Sequence, residues 1–450
     1  MNCADRLARA IAAGATVVLA CTLGACGGGS TSETTIIGGG LTGASGGTLA
    51  AIDTPTGANT TEIVVDSGPA ASFSLGATNI PYVTVTVCAP GSTTCATIDH
   101  VFLDTGSVGL RLLQSRVSTL GLPAVMVPAD AAHATPAGIA LECYPFVLGA
   151  VWGSLASADI RIGGELASAV PVQLIDDSTP AANTPPADCV TASNGGLLTS
   201  AASLQANGIL GVGMVAYDCG LNCITGNYAS GHTLYYSCSG ATCTAAAIPV
   251  DLQIQNPVVH FAVDNNGTII SLPSLPDLGV GVARGRLVFG IGTQSNNQIP
   301  VTAQMLFVDP NPANVSYLSL ATSVDGTNYP DSYIDSGSNA LFFDDATIAL
   351  GCQSSSGASG TTGGWYCPVT AAHRTATITD VSGASKQLNV TIANADALFS
   401  TSSLAFSDLG GTVSQGKNTF VWGLPFFYGR SVFTSIWGQA LSPNGPWNAF

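Results

Sequence analysis

The sequence predicts an all-β chain with short helices, and three observations lead there. β-branched runs bounded by Gly, Pro, Asn and Ser recur along its length, as strands punctuated by turns do. No long segment of helical period with paired charges stands out. Charged residues make up only 8% of the 450, against 46% hydrophobic. That balance favours a folded chain over a disordered one, and the length allows two lobes.

The elements follow in chain order. Arg6 and Arg9 precede the apolar segment 11–23, and small residues come after it, which is the build of an export signal over 1–25. The apolar stretch is too short for a comfortable membrane span. The Gly-, Ser- and Thr-rich residues that follow read as a flexible tether over 26–74. Residues 82–103 alternate, turn at Pro90 and Gly91, and run through Val101, Phe102 and Leu103 into Asp104; this is a hairpin feeding a buried strand. Strands are expected around 149–154 and at 171–177. Residues 208–214, "GILGVGM", read as an apolar, Gly-rich turn. Residues 256–272 read as strand, Asn265-Asn266-Gly267 turn, strand. The stretch 285–293 is a further strand, and 315–334 reads as strand, Asp325-Gly326 turn, strand. Residues 354–364 form a Ser/Gly loop, and "FVWGLPFFYGRSVFTSIW" at 420–437 closes the chain.

Net charge is −16, from 11 basic and 27 acidic residues, and no Lys or Arg lies between Arg9 and Arg111. A nucleic-acid partner is excluded, since phosphate neutralisation needs clustered cations. The low charge fits solubility alone, or work in mild acid where protonation reduces self-repulsion. Of 13 cysteines, Cys3 and Cys21 fall in the export signal. Leu23-Gly24-Ala25-Cys26 resembles the lipobox of bacterial lipoproteins. That resemblance implies a lipid on Cys26 and loss of 1–25, and Gly27 then favours the outer membrane. A plain signal peptide is the alternative. The remaining even number suits disulfides in an oxidising compartment. Proximity suggests Cys88 with Cys95, Cys219 with Cys223, Cys238 with Cys243 and Cys352 with Cys367, leaving Cys143 for Cys189. The rival is a metal site. No C-x-x-C occurs and His100, His133, His232, His260 and His373 are scattered, so zinc is disfavoured. No cofactor and no metal are expected. Gly43-Ala44-Ser45-Gly46-Gly47 fits a nucleophile pattern, but it sits in the tether with no strand before it.

Two stretches carry the chemistry. "VFLDTGSVGLRLL" at 101–113 and "YIDSGSNALFF" at 333–343 share one grammar: apolar run, acid, small hydroxyl, Gly, Ser, apolar run. One such turn is ordinary loop chemistry; two in one chain suggest a pair. Hydrolysis of an amide without metal or covalent nucleophile needs one carboxylate to take the water's proton and a protonated partner to polarise the carbonyl. Two adjacent carboxyls cannot both ionise cheaply, so they share a proton.

These motifs resemble the active-site loops of pepsin-like aspartic proteases, whose two β-rich lobes each give one Asp. The resemblance covers most of 75–437 in the right order. It implies a bilobal fold, with an N-terminal lobe at 75–280 and a C-terminal lobe at 281–450. It makes Asp104 and Asp335 the catalytic pair. Thr105 and Ser336 become inner braces, Ser107 and Ser338 donors to the acids, and Gly106 and Gly337 the turn residues. Ile209-Leu210-Gly211 and Val421-Trp422-Gly423 resemble the apolar-apolar-Gly turns beside each acid. The hairpin that covers substrate in that family usually has Tyr-Gly at its tip; here Trp152 in "WGS" and Tyr144 are the candidates, and a core aromatic is the other reading of Trp152. Residues 27–75 contain no basic residue, so the basic masking pro-segment of many relatives has no counterpart. The loop 218–247 is inserted and can narrow the cleft. The whole sequence also resembles an uncharacterised family of proteobacterial lipoproteins.

Two functions follow as expectations. One is an exported, lipid-anchored aspartic endopeptidase acting on extended peptide or protein substrates. The other is an inactive pepsin-like lipoprotein that binds a peptide or glycan in the same cleft. In both, the chain is expected to be a monomer that meets the membrane only through its N-terminal lipid.

Overall fold

The structure is a computed structural model. It describes residues 49–52, 57–69, 78–176, 184–192, 196–225, 233–308, 319–352, 364–413, 418–442 and 445–450. The export signal, Cys26, the 43–47 motif, His232 and nearly all of the 354–364 loop lie outside the described residues.

β1 (Leu49–Ala51) and β2 (Thr60–Val65) open the described chain. They correct the tether expected over 26–74: Ile63 and Val65 of β2 are wholly buried, so this segment belongs to the core. β3 (Pro81–Cys88) and β4 (Cys95–Asp104) form the expected hairpin. Cys88–Cys95 clips its turn. β5 (Val108–Leu113) returns from the first acid. β6 (Met126–Val127), β7 (Gly138–Phe146), β8 (Gly149–Ile162) and β9 (Glu165–Ile175) then pair antiparallel in succession. β10 (Gly208–Val212) inserts between two earlier strands, parallel to β4 and antiparallel to β5. This corrects the turn expected at 208–214, because its five residues are all buried and a buried strand reads as a continuous apolar run. β11 (Tyr235–Ser239) and β12 (Thr242–Ala245) form a hairpin whose first arm pairs with β7.

The next segment departs from expectation. Pro257–His260 is a 3-10 helix rather than the first arm of a hairpin. Pro257 has no amide proton for a ladder, and the Asn256 side chain accepts from the Val258 amide. His260 is exposed and contacts Gln255 within this turn. β13 (Gly267–Ser271) and β14 (Val282–Phe289) follow as strands. β14 pairs with β13, β2 and β1, so the first described strands share a sheet with the middle of the chain. β15 (Met305–Phe307) lies at its margin.

β16 (Leu320–Val324) and β17 (Thr327–Ile334) form the second acid-bearing hairpin. Its turn residues Asp325 and Gly326 both have positive φ, 47° and 90°, the turn geometry that suits twisted strands. β18 (Leu341–Phe342), β19 (Ala372–Thr379), β20 (Ser385–Ile392), β21 (Gly410–Gly411) and β22 (Val421–Trp422) complete a second sheet. β22 runs parallel to β17 and antiparallel to β18. That repeats the placement of β10 between β4 and β5. β23 (Ser431–Ser435) and β24 (Trp447–Ala449) return to the first sheet.

The fold is therefore all-β with short helices, with one strand arrangement used twice around the two acids. Aromatic packing supports the second copy: Phe343 stacks on Phe420 at 4.7 Å, Phe420 lies 4.4 Å from Trp422, and Trp422 meets Phe426 at 5.2 Å. The disulfides join Cys88–Cys95, Cys143–Cys189, Cys219–Cys223, Cys238–Cys243 and Cys352–Cys367, the pairs read from proximity. They are consistent with folding in an oxidising, exported setting. Among the described residues no helix is long and apolar enough to cross a membrane.

Candidate active site

β4 ends at Asp104, and β17 ends one residue before Asp335. Each strand then breaks into a tight turn held by its own acid. The Gly106 amide donates to Asp104 Oδ1 at 2.7 Å, and the Gly337 amide to Asp335 Oδ1 at 2.7 Å. Ser107 Oγ donates to Asp104 Oδ2 at 2.5 Å, and Ser338 Oγ to Asp335 Oδ2 at 2.7 Å. Two loops far apart in sequence thus have the same hydrogen-bond pattern.

The loops also bind each other. The Thr105 amide donates to Ser336 Oγ at 3.1 Å, and the Ser336 amide to Thr105 Oγ1 at 2.9 Å. Ser336 Oγ donates onward to the Leu103 carbonyl at 2.9 Å. Glycine is required where the loops meet. A Cβ on Gly106 would stand 2.7 Å from Asp335 Oδ1, and one on Gly337 would overlap Asp104 Oδ1. Each glycine therefore abuts the other half's carboxyl, and the two acids face one another. Ser336→Ala removes the acceptor of the buried Thr105 amide and a donor to the Leu103 carbonyl. It is expected to cost about 3 kcal/mol, at 1–3 kcal/mol per group, measured by denaturant unfolding.

The apolar-Gly segments close on these loops from behind. Gly211 lies where a Cβ would strike the main chain of Ser107 and Val108, and Gly423 where one would strike the Ser338 and Ala340 carbonyls. The Gly213 amide donates to the Ser107 carbonyl at 2.9 Å, and the Leu424 amide to the Ser338 carbonyl at 2.7 Å. Ile209, Leu210, Val421 and Trp422 are all buried. The Asp335 amide donates to the Trp422 carbonyl at 3.0 Å, and Trp422 Nε1 donates to Thr322 Oγ1 at 3.0 Å.

Burial, and then the charge of Asp104 beside it, push the Asp335 carboxyl up to about 8, against the opposing pull of the Ser338 and Gly337 hydrogen bonds. Asp335 is thus the member that keeps a proton at neutral pH. A braced carboxyl pair holding one proton can accept a proton at one oxygen while donating at the other.

The flap candidates need correction. Trp152 and Tyr144 are both buried. Trp152 sits opposite Cys143 on β7 and packs edge-on against Tyr236 at 5.3 Å. Tyr144 covers the Arg111 guanidinium at 3.9 Å. The β7–β8 register puts Val147 and Leu148 at the turn instead, and both are exposed. The strands are longer than the "WGS" string suggested, so that string falls inside the core.

A buried charge cluster beside the first acid loop was not read from sequence. Arg111 on β5 bonds Glu142 and Asp218, with no exposure at any of the three side chains. The available signal was Arg111 itself, the first basic residue after Arg9, inside the apolar run "GLRLL". A charge in a buried strand requires partners.

No curated protein matches the chain by sequence. Among solved structures it is similar to an aspartic proteinase from Irpex lacteus, at 13% identity over 87% of this chain and 96% of that chain, with a TM-score of 0.45. Residues 55–450 match the family described as Protein of unknown function (DUF3443), and the chain belongs to that family.

Proposed function

We propose that the protein is an exported endopeptidase, anchored by lipid on Cys26 with the outer membrane favoured, that hydrolyses extended peptides with a water held between Asp104 and Asp335. The observation that carries this reading is the cross-braced pair of facing carboxyls, one of which burial and the other's charge push up. Asp335 donates its proton toward the scissile carbonyl oxygen. Asp104 takes a proton from the water, whose oxygen bonds to the carbonyl carbon. The tetrahedral gem-diol then collapses: one hydroxyl returns its proton to Asp335 as the C=O bond re-forms, the C–N bond breaks, and the amine leaves with the proton from Asp104. The disulfides support export, and the lipobox-like string supports the anchor.

A second reading is a non-catalytic lipoprotein that binds a peptide or glycan between the lobes. The buried positions of Trp152 and Tyr144 favour it, since the exposed hairpin turn then carries only the aliphatic Val147 and Leu148.

One assay separates the two. Purified protein is offered a quenched-fluorescent peptide mixture across mild acid to alkaline pH, with and without a statine-type transition-state analogue. The expected result is turnover in mild acid that fades as pH approaches about 8, where Asp335 loses its proton, and that the analogue blocks. Absence of turnover and of analogue binding at every pH overturns the endopeptidase reading.

A further inference from the structure

The Arg111 cluster is built more fully than a simple ion pair. Arg111 Nη2 donates to Glu142 Oε1 at 2.7 Å and to Asp218 Oδ2 at 3.1 Å, and Nε donates to Glu142 Oε2 at 3.2 Å. Tyr235 Oη donates to Asp218 Oδ1 at 2.7 Å and accepts from the Ile254 amide at 2.8 Å. Gln173 Nε2 donates to the Glu142 carbonyl at 2.7 Å. Arg111, Glu142 and Tyr235 have no exposure, and Asp218 is buried. The cluster joins β5, β7, β9, β11 and the segment after β10.

Its charge does not close. One guanidinium faces two carboxyls, and both of those carboxyls bond the same nitrogen, Arg111 Nη2. With both ionised, a net negative charge is sealed away from water and two like-charged groups press together, which is strongly unfavourable. One proton removes both problems. It neutralises the cluster and supplies the missing donor between the carboxyls.

The cluster also reaches the first acid loop. Arg111 Nη1 donates to the Val108 carbonyl at 2.7 Å. Val108 follows Ser107, the donor to Asp104. We propose that Glu142 and Asp218 share one proton under Arg111, and that Arg111, a positioning residue, thereby makes the geometry of the Asp104 loop dependent on pH.

Loss of that proton drives the two carboxylates apart and draws the guanidinium with them, away from Val108. The groups facing Arg111 are Glu142 and Tyr144 on β7 and Asp218 after β10; those facing Asp218 are Glu142, Arg111 and Tyr235 on β11. Burial and the Asp218 charge keep the Tyr235 hydroxyl protonated far into alkali, so the shared proton is the one that titrates. Burial, followed by the charge of Glu142, lifts Asp218 well above the ordinary carboxylate range. The effect on catalysis rests on the endopeptidase reading; the shared proton does not.

The test is unfolding against pH for wild type and Asp218→Asn, repeated in an Asp335→Asn background that removes the proton of the dyad. A shared proton makes the wild-type unfolding constant rise by up to tenfold per pH unit more than that of Asp218→Asn above about pH 4, in both backgrounds. Parallel slopes overturn the proposal. Glu142→Gln is the second variant. Each amide mimics a protonated acid, so failure of both variants to fold also overturns it. If the wild type cleaves peptide, Asp218→Asn moves the alkaline limb of kcat to higher pH. If it cleaves none, the endopeptidase reading falls while the unfolding slopes still decide the shared proton.

Discussion

Asp335→Asn is expected to lower peptide turnover by about 10²–10⁴-fold, the range supplied by a positioned general acid or base, while leaving the fold in place. The amide retains an oxygen for the Gly337 amide and a polar atom for Ser338 Oγ, so the turn around residue 335 keeps its bonds. It has no acidic proton to give the carbonyl. Asp104→Asn fails differently, because it leaves no carboxylate to take the water's proton. The expected loss is of the same order for both, and it falls on kcat more than on KM, since neither change removes peptide-binding surface. The check is steady-state kinetics beside circular dichroism. Wild-type turnover in either folded variant would sink the endopeptidase reading. Asp335→Asn carries a second signature: it replaces an acid pushed up by burial with a neutral group, so the variant should be more stable than wild type at neutral pH. A dead but stabilised protein is therefore expected, where a merely structural defect would give a dead and weakened one.

That pair was legible in the sequence because its chemistry is local. Acid, small hydroxyl, glycine and serine are all needed within one turn, and the need arises twice. The hairpins around Pro90-Gly91 and Asp325-Gly326 were legible for the same reason. What failed depended on partners far along the chain. "GILGV" reads as a turn until β4 and β5 are seen to flank it. The residues of β2 read as tether because most of their pairing is with β14, some 220 positions on, and only Val64 and Val65 pair with the nearby β3. The flap was misplaced because strand length, not the "WGS" string, sets where the β7–β8 turn falls. Glu142 and Asp218 carried no local mark; only the folded chain brings them to Arg111. The one misreading with a local cause is 257–260, where Pro257 argued against a strand from the outset.

Stability is expected to peak in mild acid and to fall as pH rises toward about 8. Burial comes first among the causes that raise four acids: Asp335 to about 8, Asp408 and Glu165 to about 7, and Asp218 well above the ordinary range. Between the unfolded value near 4 and these folded values, the native chain holds protons that the unfolded chain has released. Unfolding then releases protons, and rising pH favours it. His100 adds in the same direction. Its hydrogen bond to Asp66 outweighs burial and raises it, so its contribution is complete below the unfolded value near 6.5 and is lost as pH passes the raised one. Asp345 and Asp380 oppose this at the acid end. Burial works against them, but Thr347 and Arg374 hold Asp345 low, and the Phe307 amide and Ser382 hold Asp380 low. Their stabilisation is present above the ordinary carboxylate value and disappears as pH falls through the lowered one. The two windows leave a maximum at about pH 4–5. Asp335 and Asp218 together give about 3 kcal/mol per pH unit at most on the alkaline side. Denaturant midpoints across pH measure it, and a maximum at or above neutrality would contradict it. The net charge of −16 acts with these groups, since ionising further carboxyls adds self-repulsion. In the endopeptidase reading the proton that Asp335 gives the carbonyl is thus one of those that hold the fold together, so activity and stability should decline together as pH rises and separate in Asp335→Asn.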